Sequence, residues 1–365
     1  MDNKRIRVGF IGLNPDSHWA STSHFPALKF LSEYFEVVGV ANSSLESSQK
    51  TAKALKIPYA FATPQDLVNS DEIDLVVVTV KVPFHFELVS AALEAGKHVH
   101  CEWPLANGLE EAKNLVKLAN EKGVLTTVGT QMRAAPEIAY LKQIIADGYV
   151  GDVLSTTLIG SGGNWGDESV ADLAYLSDKS KGATMLTIPF GHTLAGIRDV
   201  LGDFSNISGR MINTRDTVYI TDTGETLPAT AEDQIMVNGV LKSGAAFSAH
   251  YRGGVSRGTN FLWEINGTEG DIQVTASLGH GQMAELSIFG SRGEETEMKQ
   301  LTLPESLLEN LPDSVIVRNV AGIYTLIAQD IRNNTRKAPS FNDALKLHEL
   351  LDEIEKSSEK LMQAE

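Results

Sequence analysis

The sequence predicts an α/β protein of two domains: a doubly wound parallel sheet, then an α+β domain with a large, mostly antiparallel open sheet. Over the first third of the chain, short and continuously apolar runs alternate with amphipathic helical segments. From about residue 150, long polar–apolar alternations and Gly-rich turns replace that pattern. The length of 365 residues also corresponds to roughly two domains.

The apolar runs of the first part are the predicted parallel strands, at 6–11, 36–41, 74–80, 97–100 and 124–128. The segments between them have helical spacing, most clearly 45–56, 84–95 and 109–122. Pro64 suits the first position of a short helix, and Gly96 and Gly123 stand where helix C-caps are expected.

Seven alternating segments predict the open sheet of the second part. They are 153–162, 206–214, 232–238, 243–251, 259–266, 270–275 and 284–289. Helices are predicted at about 183–201, 316–333 and 341–362. We therefore expect a nucleotide-type domain over 1–130 and a second domain over 131–365, whose terminal helices (316–365) pack back toward the first domain.

Composition and charge argue against several classes of function. The formal net charge is −16 and no basic run is present, which argues against a nucleic acid or an anionic membrane as partner. The single cysteine, Cys101, excludes an intrachain disulfide and fits a reducing compartment. No apolar stretch approaches the roughly 20 residues of a membrane span, and the first residues lead into a strand rather than a secretory signal. We expect a cytoplasmic protein.

A glycine turn ends the first predicted strand, in the run Gly9-Phe10-Ile11-Gly12-Leu13-Asn14. A strand, glycine turn, helix and second strand in this order bring backbone N–H groups to the pyrophosphate of a dinucleotide. A full G-x-G-x-x-G motif would need glycine at positions 14 and 17, where Asn14 and Ser17 stand, and a tight turn needs glycine for steric reasons anyway. We expect Gly12, Leu13 and Asn14 to bind the cofactor.

The second predicted strand is followed by Asn42, Ser43 and Ser44. A site that prefers NAD carries Asp or Glu here, which binds the ribose 2′-hydroxyl. Two hydroxyls and no carboxylate favour NADP slightly over NAD, because nothing repels a 2′-phosphate. The alternative is an ordinary loop that accepts either cofactor.

The run Ala92-Leu93-Glu94-Ala95-Gly96-Lys97-His98-Val99, followed by Glu102 and Pro104, resembles the glucose–fructose oxidoreductase / inositol dehydrogenase / MocA (Gfo/Idh/MocA) family. Further matches are Gln131-Met132-Arg133, Gly148–Gly151, Gly191-His192 and Pro339–Ala344. The resemblance implies a Rossmann domain, a second domain that roofs the nicotinamide, and a homodimer or homotetramer formed through the open sheet. Typical members move a hydride between NAD(P) and a sugar or cyclitol carbon. The cofactor contacts that it implies are Val80, His85, Glu102, Trp103, Pro104 and Gln131.

Two departures from the family pattern bear on catalysis. The family's catalytic lysine belongs between Glu102 and Pro104, where this chain has Trp103. A lysine can relay the hydroxyl proton as hydride leaves, whereas indole cannot accept it. The family usually also has an aspartate shortly before the helix histidine, yet residues 183–191 contain no carboxylate. The loss of both groups points to altered chemistry.

A branch of the family, typified by the fungal galactose-regulon repressor, shares more of the pattern. The shared residues are Gly9–Asn14, Trp19, His24–Ala27, Glu102-Trp103, Gly162–Gly166, Phe190–Thr193 and Arg252–Gly254. This resemblance implies NAD(P) bound as a signal and a regulatory protein partner. An enzyme on the same branch is the other reading.

Two residues are candidates for the proton transfer. His192 lies on a predicted helix among small residues, and imidazole is already poised near neutral pH, so we expect it to be the general base; a histidine packed in the core is the alternative. Lys81 follows the fourth strand, where family members usually have proline, and its amine could replace the missing lysine. A surface lysine is the alternative.

Substrate contacts are expected from Trp103, Arg133, Asn164, Trp165, Tyr175 and His192. Aromatic and amide side chains suit the faces and hydroxyls of a sugar. The arginine could anchor a carbonyl or phosphate, although an ion pair explains it equally well. Trp103 either stacks on nicotinamide or substrate, or wedges the two domains. Cys101 has no evident histidine partner, and no pair of histidines has metal-site spacing, so we expect no metal.

The leading hypothesis is an NAD(P)-dependent oxidoreductase acting on a sugar-like or cyclitol alcohol or ketone. The rival is a non-catalytic NAD(P)-dependent sensor that governs a protein partner. A third hypothesis is an enzyme that oxidises and re-reduces a tightly held cofactor within one cycle.

Overall fold

The computed structural model describes residues 4–16 and 19–363, apart from the side chain of Met362. Ser17, where a full glycine motif would need its third glycine, lies outside the described residues. The chain divides into two compact units. The first runs to Gln131 and also includes Leu311–His348, and the second comprises Met132–Asn310 and the chain from Glu349 onward.

The first unit contains a six-stranded sheet with helices between its strands. The strands are β1 (Ile6–Ile11), β2 (Phe35–Ala41), β3 (Tyr59–Phe61), β4 (Leu75–Val78), β5 (His98–Glu102) and β6 (Thr126–Gly129). All pairs are parallel, and the order is β3-β2-β1-β4-β5-β6. This is the doubly wound order of dinucleotide-binding sheets, so the predicted fold class is confirmed. The order reverses between β1 and β4, where such folds bind their ligands at the carboxyl ends of the strands.

Five helices connect these strands: α1 (Phe25–Phe30), α2 (Leu45–Leu55), α3 (Pro64–Val68), α4 (His85–Glu94) and α5 (Leu109–Lys122). All four residues of β4 are fully buried, as expected for a strand covered on both faces. Pro64 begins α3 and Gly123 caps α5, as the sequence predicts. One turn of π-helix, Ala20–His24, precedes α1, and the short edge strand β3 was not predicted.

The second unit contains an eight-stranded sheet. The helices and strands of this unit are α6 (Pro136–Ala146), β7 (Val153–Gly162), β8 (Glu168–Ser169), α7 (Gly191–Leu201), β9 (Phe204–Ile212), β10 (Thr217–Ile220), β11 (Glu225–Pro228), β12 (Gln234–Leu241), β13 (Ala246–Gly253), β14 (Phe261–Gly267), β15 (Gly270–Ala276), β16 (Ser287–Arg292) and β17 (Lys299–Gln300). The order is β17-β16-β15-β14-β7-β13-β12-β9, in which only β7 and β13 pair in parallel. The predicted mostly antiparallel sheet is therefore confirmed. The sequence did not predict α6 or the small sheet of β11, β10 and β8.

Two long helices end the chain, α8 (Val315–Asn333) and α9 (Phe341–Gln363). Helix α8 packs against α1 in the first unit. The last part of α9 borders the edge strand β9, whose Gly209 and Met211 N–H groups donate to the hydroxyls of Ser357 and Ser358. These serines cover an edge that would otherwise present free backbone groups. Within the described residues, no helix is both long and apolar enough to cross a lipid bilayer.

Candidate functional site

The glycine turn after β1 requires glycine for two independent reasons. Gly12 has φ +98°, and a Cβ there would lie 2.6 Å from Cγ1 and 3.1 Å from the backbone nitrogen of Val80. The loops after β1 and β4 therefore approach each other more closely than any side chain at position 12 allows. We call the space between Gly12 and Val80 the cradle, because a Cβ at position 12 would fill it. Without that Cβ, the backbone of the turn can approach a pyrophosphate closely, so the residues present fit a dinucleotide.

The loop after β2 supports this turn. Asn42 donates from Nδ2 to the carbonyl oxygen of Leu13 at 2.7 Å and to Thr51 Oγ1 at 3.0 Å. Ser44 is the N-cap of α2, where its hydroxyl accepts the Ser47 N–H, and Ser43 is exposed. Asn42 thus holds the turn in place, and Ser43 and Ser44 are both exposed beside it.

Two neighbours of the turn complete this edge of the first unit. The exposed Asn14 accepts the Asp16 N–H through Oδ1 at 3.0 Å. The Asp16 carboxylate in turn contacts Lys50 Nζ of α2 at 2.6 Å. This cation next to the glycine turn went unnoticed in the sequence, because its spacing from the motif carries no signal.

The loops after β4 and β5 are joined by His85. Its Nδ1 lies 2.8 Å from the Pro104 carbonyl oxygen and its Nε2 lies 2.9 Å from that of Val80. The ring is buried, and burial lowers its pKa. These contacts give His85 a positioning role between the two loops. Lys81 is exposed at the start of the short 3₁₀ turn that leads into α4.

Cys101 has a histidine neighbour that the sequence did not reveal, since its Sγ lies 3.4 Å from His85 Nδ1. The expectation of no histidine partner was therefore wrong. Burial nevertheless raises the pKa of the Cys101 thiol well above its ordinary value. The thiol stays protonated at neutral pH, so this contact does not form an activated nucleophile.

Glu102 ends β5 and is fixed by several side chains. Its Oε2 accepts a hydrogen bond from Trp19 Nε1 at 2.6 Å, and its Oε1 accepts one from Gln131 Nε2 at 2.7 Å. His24 Nε2 lies 2.9 Å from Oε1. A Cβ at Gly129 on the neighbouring strand would collide with this same oxygen, so glycine makes room for the carboxylate.

A cluster of His24, His100 and Glu102 results, with one potential ligand atom from each residue and all three atoms within 4.8 Å of one another. The sequence gives no metal-site spacing for these histidines, because they come from two separate elements. His24 ends the π-helical turn before α1, whereas the other two lie on β5.

Trp103 is 3% exposed, and its ring centroid lies 4.8 Å from that of His348 on α9. The Trp103–Pro104 peptide bond is cis. Burial lowers the pKa of His348 to about 4, so the imidazole that contacts the indole is neutral at pH 7. The position that holds the catalytic lysine in typical family members is here an interior aromatic contact.

In the second unit, His192 lies on α7 and is 3% exposed. The next residue, Thr193, shares a hydrogen bond of 2.7 Å with the hydroxyl of Tyr251 on β13. The π-helical turn Leu186–Phe190 leads into α7.

The rings of Trp165 and His280 are stacked, with centroids 5.7 Å apart and planes inclined at 28°. Burial lowers the pKa of His280 to about 4, so this ring is neutral at pH 7. Trp165 was a predicted substrate contact, whereas His280 was not predicted, because it lies more than a hundred residues away in the chain. Asn164 is exposed and lines a cavity of about 240 Å³ together with Val170, Leu173 and Thr221.

Two further predicted substrate residues have other surroundings. Arg133 Nε lies 2.9 Å from Asp199 Oδ2, which is the ion pair that the sequence analysis gave as the alternative. Tyr175 is half-buried in a 3₁₀ turn, and burial raises the pKa of its hydroxyl.

Two family models match the chain. Residues 6–130 match the model described as an oxidoreductase family with an NAD-binding Rossmann fold. Residues 136–276 match the model described as the C-terminal domain of Gal80p. The two matches divide the chain near the boundary between its two units.

The chain is similar to both a regulator and a dehydrogenase. The galactose/lactose metabolism regulatory protein GAL80 of Kluyveromyces lactis is 31% identical over 79% of this chain and 67% of its own length. The dehydrogenase aclE of Aspergillus oryzae is 36% identical over 56% of this chain and 57% of its own length. The crystal structure of a super-repressor mutant of Gal80p from Saccharomyces cerevisiae matches with a TM-score of 0.90 at 29% identity, covering 98% of this chain and 96% of that one.

Proposed function

Because the chain belongs to the Gfo/Idh/MocA oxidoreductase family, in the branch with a Gal80p-like C-terminal domain, we propose that it is an NAD(P)-dependent oxidoreductase. Its substrate is a sugar-like or cyclitol alcohol or ketone. The observation that carries this proposal is the cradle at Gly12, where a Cβ would collide with Val80 and where Asn42 anchors the turn. Similarity to a dehydrogenase supports the same reading.

The nucleotide is bound by the edge of the first sheet. The backbone from Gly12 to Asn14 binds the pyrophosphate, and Ser43 with Ser44 lies where the adenosine ribose is read. We favour NADP slightly over NAD, because no carboxylate stands among residues 42–44 to repel a 2′-phosphate. Glu102, Pro104 and Gln131 form the nicotinamide end.

The bound nicotinamide supplies the hydride acceptor or donor. In the oxidation direction, the substrate loses a hydride from carbon and a proton from its hydroxyl group. His192 accepts that proton in this proposal, since indole at position 103 cannot. Lys81 is the second candidate for the proton, because it follows β4 at the sheet edge that holds the glycine turn. Trp165, Asn164 and Tyr175 contact the sugar-like substrate.

The test is nicotinamide absorbance during incubation of the purified protein with NAD⁺ and NADP⁺ separately. The substrates are a panel of sugars, sugar acids and cyclitols, and release of bound cofactor is measured in parallel. Steady growth of the reduced-cofactor band is expected. Bound nucleotide with no turnover in either direction favours the sensor that is described below.

The Lys81→Ala variant then decides between the two proton acceptors. If the lysine replaces the missing family lysine, its loss lowers kcat by at least about 10²-fold. An unchanged kcat rules out Lys81 as the proton acceptor. Lys29→Ala, which removes another lysine from the first unit, is the matched control.

A second candidate function is an NAD(P)-dependent sensor that regulates a protein partner. The burial of Trp103 against His348 favours it, because the position of the catalytic lysine is filled by an interior contact. The similarity to GAL80 regulatory proteins favours it too. A sensor needs only nucleotide binding and a partner whose affinity changes with it. The purified protein is used as bait in pull-downs with and without NADP, and mass spectrometry identifies the bound proteins. A partner whose binding depends on NADP distinguishes the sensor from an enzyme with an untested substrate.

The remaining proposals concern assembly and location. We propose a homodimer or homotetramer formed through the open face of the eight-stranded sheet, and a cytoplasmic location. Light scattering after size-exclusion chromatography measures the assembly. A single-chain mass of 39.5 kDa at micromolar concentration would contradict it.

A further inference from the structure

We propose that His24, His100 and Glu102 bind a divalent transition-metal ion, with Zn²⁺ as the best match, inside the first unit. The proposal stands on this cluster alone and does not depend on the proposed oxidoreductase activity. Two imidazole nitrogens and one carboxylate oxygen converge here from the turn before α1 and from β5. This is a donor set that zinc and neighbouring divalent metals favour.

The distances fit a small ion. His24 Nε2 lies 2.9 Å and His100 Nε2 lies 3.9 Å from Glu102 Oε1. All three atoms lie within 4.8 Å of one another. Ligand atoms about 2.1 Å from a tetrahedral zinc ion are about 3.4 Å apart. Binding therefore requires the most widely separated ligand atoms to approach each other by up to about 1.4 Å.

The hydrogen bonds around His100 leave electron-rich atoms facing each other. The Thr127 hydroxyl lies 3.4 Å from the Val99 carbonyl oxygen, to which it donates, and 2.9 Å from His100 Nδ1. It therefore accepts a hydrogen bond from Nδ1–H. In the neutral ring, Nε2 then carries the lone pair, which faces the Glu102 carboxylate. A cation between these atoms relieves the repulsion.

His24 supplies an independent observation. Its ring is fully buried, yet Nε2 makes no contact with hydrogen-bond geometry, although Glu102 Oε1 is only 2.9 Å away. A buried ring nitrogen without a hydrogen bond is costly. Coordination of a metal by this nitrogen removes the cost.

The surroundings provide the outer contacts that metal ligands usually have. His24 Nδ1 lies 2.8 Å from the Tyr324 hydroxyl, and His100 Nδ1 bonds to Thr127. Trp19 and Gln131 donate to the two Glu102 oxygens. Such partners fix the tautomer and orientation of each ligand. With three protein ligands, a water molecule would take the fourth position of a tetrahedral ion.

The experiment measures Zn²⁺ binding to the chelator-treated full-length protein by isothermal titration calorimetry, with Co²⁺ as a spectroscopic substitute. One ion per chain is expected. His24→Asn and Glu102→Gln should each weaken Kd by at least about 10-fold, the lower end for loss of even an outer contact. His250→Asn, which removes a half-buried histidine outside the cluster, should leave Kd unchanged. Circular dichroism and Tm of each variant establish that it is folded.

X-ray absorption of the Zn²⁺-loaded natural protein gives a result that needs no variant. Two imidazole ligands and oxygen ligands are expected. Any other imidazole count overturns the proposal, as does a Kd that the cluster variants leave unchanged. Absence of Zn²⁺ binding to the folded natural protein overturns it as well.

Discussion

The polar end of β5 in the first unit differs in kind from the aromatic region of the second unit. Glu102 is contacted by Trp19, His24 and Gln131, and Gly129 leaves it room. In the second unit, Trp165 stacks on His280, while Asn164 is exposed beside a cavity. The first arrangement depends on several contacts at once, so few substitutions preserve it. The second consists of one ring stack beside an exposed amide, so we expect it to tolerate substitution better.

The largest expected effect comes from Gly12→Val. A side chain at φ +98° must collide with Val80, so the loops after β1 and β4 separate and the cradle is lost. We expect Kd for NADP and NAD to rise by at least about 100-fold, or close to 3 kcal/mol. Fluorescence titration measures it.

Gly108→Ala is the matched control for this change. Gly108 also has positive φ, at +103°, but a Cβ there meets nothing within 4 Å. The Gly108→Ala variant therefore measures the effect of a side chain at positive φ without any steric collision. Unchanged nucleotide affinity in Gly12→Val would show that the turn is not the cradle.

The second prediction concerns His192 on α7 of the second unit. His192→Ala should lower kcat by at least about 10²-fold, because the proton acceptor is removed. The Kd for nucleotide should stay within about twofold, since the cradle belongs to the first unit. Stopped-flow absorbance and binding titration measure the two effects. His250→Ala, which removes a histidine of β13, should leave both unchanged. Loss of nucleotide affinity together with kcat would point to a structural role for His192.

The third prediction uses acid, because each unit contains a buried neutral histidine. Burial lowers the pKa of His348 in the first unit and of His280 in the second to about 4. Below the unfolded value near 6.5, the unfolded chain binds more protons, so stability falls as pH falls. Each histidine contributes a slope of about 1.4 kcal/mol per pH unit down to its folded pKa. Urea unfolding at pH 7 and pH 5 measures the difference.

The variants His348→Gln and His280→Gln assign this slope to the units. Each variant should reduce the pH dependence of the free energy of unfolding of its own unit, and leave that of the other unit unchanged. A slope that neither variant alters would place the acid sensitivity elsewhere in the chain.

The smallest expected effect is on nucleotide choice. Ser44→Asp keeps the N-cap of α2, because aspartate caps helices as well as serine, and adds a carboxylate where NAD sites have one. We expect the ratio of NADP to NAD affinity to fall by about 10-fold, or 1.4 kcal/mol. Ser44→Asn is the matched control, since it caps without charge. An equal effect of both variants would rule out charge as the cause.

Features that depend on the order of neighbouring residues along the chain were predicted from the sequence. The run from Gly9 to Asn14 identified the turn, and apolar runs identified the main strands of both sheets. Side-chain clusters were not predicted, because they depend on the register between elements. His24 and His100 are far apart in the chain, and so are Trp165 and His280. The short strand β3 was missed because Tyr59–Phe61 is only three residues long. Helix α6 was missed although Ile138, Leu141 and Ile144 recur at helical spacing after Pro136.

The discontinuity of the first unit has a consequence for the order of synthesis. Tyr324 of α8 contacts His24, and Ser340 bridges Thr127 on β6, so residues 311–348 complete a unit that begins at the N-terminus. A ribosome makes Met132–Asn310, the larger segment of the second unit, before those residues emerge. Until then the face of α1 that binds α8 stays uncovered, and a stop anywhere within Met132–Asn310 releases a chain that never completes its first unit.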